Sequence, residues 1–145
     1  MDLRSFEALL DQAFAKCKVQ FDEDQKAITI SALDRKAIHG SGWWLETKVA
    51  CEQAIESWQF ALLGEAERAL PALRRHFAAE ELRVSLKRLL LDRLRAFIEE
   101  QEEFLRRNAK GRVPAEKARF EKDRLLAALE AEMEILLTPS RPIGF

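Results

Sequence analysis

The sequence predicts a mainly α protein: a short N-terminal helix and a β-hairpin, then three longer helices forming a bundle or an extended antiparallel helical hairpin. Three observations carry this. Apolar residues recur at three- and four-residue spacing over most of the chain. Only 5 Gly and 4 Pro interrupt 145 residues, and most fall where that period breaks. One stretch near the N-terminus, residues 16–32, alternates with period two instead.

Residues 3–15, LRSFEALLDQAFA, place Phe6, Leu9, Leu10, Ala13 and Phe14 on one helical face. Then Cys17, Val19 and Phe21 alternate with Lys16, Lys18 and Gln20. Beyond the acidic DEDQ, Ile28, Ile30 and Ala32 alternate with Thr29 and Ser31. Two alternating runs about a polar turn predict a β-hairpin. A lone hairpin is marginal in water, so its apolar side must lie on helices or on another chain. LDRKAIHGSG is the main break: Gly40 and Gly42 loosen the chain, and Ser41 can cap the next helix.

From Trp43 to about Leu70 the pattern is helical, with Leu45, Val49, Ile55, Leu62, Leu63 and Ala66 on a broad face. Pro71 is tolerated in a first helical turn but not inside a helix, so a boundary or kink is expected there. From Ala72 to Ala109 there is neither Gly nor Pro. Leu82, Leu86, Leu89, Leu90, Phe97 and Phe104 make one apolar face, and Leu91, Leu94 and Ile98 widen it. So wide a stripe needs cover on more than one side. In NAKGRVPAEK, Gly111 suits the end of the outgoing helix and Pro114 the first turn of the next. The last helix, about 114–137, puts Ala118, Leu125, Leu129, Met133 and Leu136 together, with Leu126 and Leu137 beside them. A short connection makes it the antiparallel neighbour of the helix before. Residues 1–137 are thus expected to form one domain, with helix, hairpin and linker over 1–40 and the helical bundle over 41–137. Residues 138–145, TPSRPIGF, form an extended tail.

Lys and Arg number 24 against 25 Asp and Glu, so no global field draws the chain to nucleic acid or membrane. The apolar runs are too short for a membrane span, and Met1-Asp2-Leu3-Arg4 opens no secretory leader. Cys17 and Cys51 lie in no CxxC pair and read as reduced thiols of a cytoplasmic protein.

No motif carries chemistry. His39 and His76 lack metal-ligand spacing, and the arginines near them (Arg35, Arg68, Arg74, Arg75) lie at the wrong distances for a helical nuclease. GSG is neither a P-loop nor a dinucleotide fingerprint, and no serine sits in a nucleophile elbow. Catalytic, cofactor-binding and metal-binding residues are therefore expected to be none. The surplus apolar face points to assembly: a non-enzymatic helical interaction protein, an adaptor, inhibitor or small subunit of an intracellular complex, able to self-associate. Leu90, Leu94 and Phe97 are its expected partner-binding residues. So is Trp43, because Trp is frequent at interface hot spots and successive helix residues point about 100° apart, turning it away from core-facing Trp44; the equal alternative is that Trp43 covers the apolar side of the hairpin. The alternative is a small nucleic-acid-binding accessory subunit, contacting phosphates through the basic 106–124 segment, chiefly Arg106, Arg107, Lys110 and Arg112. A helical hydrolase or nuclease ranks last.

Overall fold

Asp2 starts the first helix. Its carboxylate accepts the backbone N–H of Ser5 at 2.8 Å, satisfying one amide that the first turn leaves open. That bond holds the Asp2 carboxyl below its ordinary pKa. In the computed structural model, which describes residues 1–34, 41–109 and 114–138, the chain then runs as a helix to Asp34. We label this helix α1 (Leu3–Asp34). It is followed by α2 (Ser41–His76), α3 (Ala79–Ala109), a short 3₁₀ turn (Ala115–Ala118) and α4 (Lys122–Leu137). The described residues contain no strand.

The expected β-hairpin is therefore corrected to helix. Phe6, Leu10, Ala13, Phe14, Cys17, Phe21, Ile28 and Ala32 all turn inward at helical spacing. The alternation over 16–32 depended on Val19 and Ile30, which are 59% and 58% exposed. DEDQ also lacks the Gly or Asn that a tight hairpin turn demands, while Glu, Gln, Lys and Ala favour helix. Gln20 donates to Asp24 one turn on, at 3.0 Å, adding local support.

Two further boundaries move. Pro71 lies inside α2 rather than at its edge. It costs the carbonyl of Glu67 its helical partner, but both residues are on the exposed side, where water can hydrate that carbonyl. The helix instead ends at His76, and α3 begins at Ala79. Charge marks this break: Arg74, Arg75 and His76 stand at the negative end of one helix dipole, Glu80 and Glu81 at the positive end of the next. The expected last helix also divides. Arg119 is extended, with φ −110° and ψ 146°, and the N–H of Phe120 donates to Glu102 Oε2 at 2.9 Å. That contact ties the connecting segment to α3 before α4 starts.

Helix α2 packs against both α1 and α3, and α4 lies mainly along α3. The side chains fix directions. Lys122–Glu99, Lys87–Glu130 and Arg83–Glu134 pairs make α3 and α4 antiparallel, as expected. Asp11–Arg93 and Lys18–Glu100 make α1 parallel to α3. No helix among the described residues is long and apolar enough to cross a membrane.

The interior falls into two clusters. The larger joins Phe6 and Leu10 of α1, Ile55, Trp58 and Leu62 of α2, Leu86, Leu90 and Leu94 of α3, and Leu129 and Met133 of α4. Phe14 is its hinge, edge-on to Trp58 at 5.1 Å and to Phe97 at 5.5 Å. The smaller cluster lies at the far end, beyond the reach of α4, and gathers Ala32, Trp43, Trp44, Cys51, Leu105, Ala109 and Ala118. The 3₁₀ turn closes that end through Ala118, and Phe120 packs against both clusters.

Candidate partner-docking surface

The residues expected to meet a partner lie inside the molecule. Leu90 and Leu94 are fully buried and Phe97 is 4% exposed, all covered by the chain's own helices. The wide stripe on α3 does need more than one neighbour, and α1, α2 and α4 supply them. Trp43 is 5% exposed and Trp44 2%, so both belong to the smaller core. The indole Nε1 of Trp44 donates to the carbonyl of Leu105 at 3.1 Å, joining α2 to α3. Trp43 forms the floor of an open cleft between α1 and α3, about 980 Å³, flanked by Phe21, Phe104 and Gln101. Gln101 is 2% exposed, and its Oε1 has no hydrogen-bond partner among the described residues.

The basic segment is brought together only in part. Arg106 and Arg107 are exposed on the last turn of α3, and both pair with the single carboxylate of Glu103. Lys110 and Arg112 lie outside the described residues, as do Gly111, His39 and 139–145 of the tail. Arg106 also borders a cleft of about 740 Å³ against the start of α4, where Glu102, Glu121 and Asp123 alternate with Arg119, Lys122 and Arg124. Its sign is mixed, so the local field that would gather phosphates is weak.

His76 is exposed at the end of α2 with its ring edge-on to Phe77 at 4.9 Å. Among the described residues no group of three or more His, Cys, Asp or Glu is placed to hold a metal ion. Both thiols are free. Burial, and then Glu52, pushes Cys51 up to about 12, and burial raises Cys17 as well. Only a thiolate attacks a disulfide reagent. At mildly alkaline pH the folded chain should therefore leave Cys51 unlabelled, with both thiols reacting once denaturant is added. Labelling of Cys51 at the rate of a free thiol in the folded chain would contradict its place in the core.

The surface that remains apolar was not among the expected sites. Phe60 is 81% exposed on α2 and Ile135 72% exposed on α4. Leu45 and Val49, expected on the buried face of α2, are 55% and 51% exposed, while Ile55, Leu62 and Ala66 from the same set are buried. Helix α4 touches α2 only lightly, and a groove of about 490 Å³ opens between them. Phe60, Leu63 and Gly64 contribute its apolar and small surface, with Gln59 beside them. Glu56 and Glu67 from α2 and Glu132 from α4 complete its lining. Residues four apart on a helix share a face, so Glu56, Phe60 and Gly64 rise in one row. No protein-family model, curated protein or solved structure matches the chain, and its own surface must carry the functional reading.

Proposed function

We propose that the chain is a non-enzymatic helical interaction protein, acting as an adaptor, inhibitor or small subunit of a larger complex. One observation carries this reading: with the core already filled, large apolar side chains still stand outside it, led by Phe60 and Ile135. Phe60 and Leu63 line a groove with polar and acidic residues around them, and apolar surface rimmed by polar residues marks contact sites. Leu90, Leu94 and Phe97 are buried among the chain's own helices, which supports reading them as part of the scaffold.

Chemical cross-linking of the chain in its native cell, followed by light scattering of the purified protein with and without nucleic acid, tests the reading. The expected result is either self-association or a protein neighbour cross-linked to the α2–α4 face. A monomer at high concentration with no cross-linked neighbour overturns it. A mass shift seen only with nucleic acid would favour contact with phosphates through Arg106 and Arg107 instead.

A further inference from the structure

We infer that the groove between α2 and α4 docks an amphipathic helix of another protein, with Lys or Arg flanking one large apolar side chain. The inference rests on the interaction reading above and names its site and the chemistry of its partner.

Charge is the first argument. Glu56, Glu67 and Glu132 surround the groove, and none makes an ion pair with a described residue. Their neighbours do: Glu130 and Glu134 are taken by Lys87 and Arg83, and Glu65 by Arg68. Lys48, Arg119 and Arg124 share a neighbouring cleft with Glu56, and Arg68 is held by Glu65, so the groove's own lining stays net negative with no ion pair inside it. Like charges gathered at one place raise the local field and attract a cation of matching spacing. Glu56 and Glu67 stand about 16 Å apart along α2, so basic residues about three turns apart on a partner helix match that spacing, and they would also steer its approach.

Shape is the second argument. Gly64 sits in the middle of α2, where glycine disfavours helix relative to alanine. Nothing in the fold calls for it: a Cβ there would meet only the flexible tip of Arg68, at 3.6 Å. A glycine that internal packing does not require keeps the floor of the groove low, and the exposed Arg68 tip above it can swing aside for a side chain or backbone arriving from outside. Phe60 stands one turn before it, offering an aromatic face to that group. An amphipathic helix laid in a groove uses this division, with an apolar anchor below and charges along the rim.

The test is fluorescence anisotropy with the full chain and two labelled helical peptides of about five turns, roughly 18 residues. Both carry one leucine face, with Lys and Arg on the other face of the first peptide and Glu on that of the second. The basic peptide is expected to bind and to weaken as salt rises; the acidic one is not. The triple variant Glu56→Lys, Glu67→Lys, Glu132→Lys should lose at least about tenfold in affinity. So should Gly64→Leu, which leaves every charge in place and fills the floor. Gly64→Ala should keep the melting temperature or raise it, showing that the position tolerates a side chain. Failure of the basic peptide to bind at low salt overturns the inference. So does equal binding by Gly64→Leu, or equal binding of the acidic peptide. Concentration-dependent light scattering separates a second copy: an oligomer that Phe60→Ser dissolves, with no peptide binding, removes the basic helix but leaves the interaction reading standing.

Discussion

Leu90→Asp should abolish the cooperative melting transition of the isolated chain. Leu90 is fully buried on α3, in the cluster that all four helices share. A carboxylate there has no basic partner inside. An unpaired buried charge costs several kcal/mol even after it neutralises by taking up a proton. Lost packing adds to that, since a Leu→Ala change alone removes about 2–5 kcal/mol from a core. Domains of this size hold only about 5–15 kcal/mol in reserve, so the sum consumes much or all of it. Circular dichroism against temperature reads the result. Val49→Asp is the matched control: Val49 is half exposed on α2, and surface changes of this kind stay within about 0.5 kcal/mol. A Leu90→Asp chain that melts like the parent would show that α3 is not enclosed by its own neighbours.

Most of the helical content was legible from spacing, and the errors share a cause. Periodicity treats every apolar residue as inward-facing, yet Val19 and Ile30 on α1 and Leu45, Val49 and Phe60 on α2 face water. The first two turned a helical register into apparent alternation. The others blurred which side of α2 is covered. Proline rules place a boundary or kink at Pro71, and α2 runs on through it because an exposed position tolerates the lost hydrogen bond. The true break after His76 was written in charge, basic then acidic, and not in Gly or Pro. The site was harder to read for the same reason. Leu90, Leu94 and Phe97 stand out because they are strongly apolar, and the core takes such residues first. The α2–α4 groove joins Glu56 and Gly64 to Glu132, far apart in sequence, and only the packing of α4 on α3 brings them together. Gly64 was the one local hint, a glycine amid helix formers with no turn to serve.

Both Trp44→Ala and Trp43→Ala should destabilise the isolated chain, Trp44→Ala by about 3–5 kcal/mol and Trp43→Ala by somewhat less. Successive residues on a helix diverge by about 100°, which suggests that only one of the pair can face a core. Helix α2 escapes that limit because it has neighbours on two sides. Trp44 turns toward α3 and bonds the carbonyl of Leu105; Trp43 turns toward the α1–α3 cleft, where Phe21 and Phe104 approach edge-on at 6.3 Å. Losing Trp44 removes its buried area and also a hydrogen bond of about 1 kcal/mol. Losing Trp43 opens the floor of a cleft that already admits solvent, so less packing is forfeited. Denaturant melts of the two single variants and the double variant decide it. The two indoles belong to one cluster, so their effects should not add. If Trp43→Ala keeps full stability, that side chain is held for a partner, and the α1–α3 cleft replaces the α2–α4 groove as the first place to look for one.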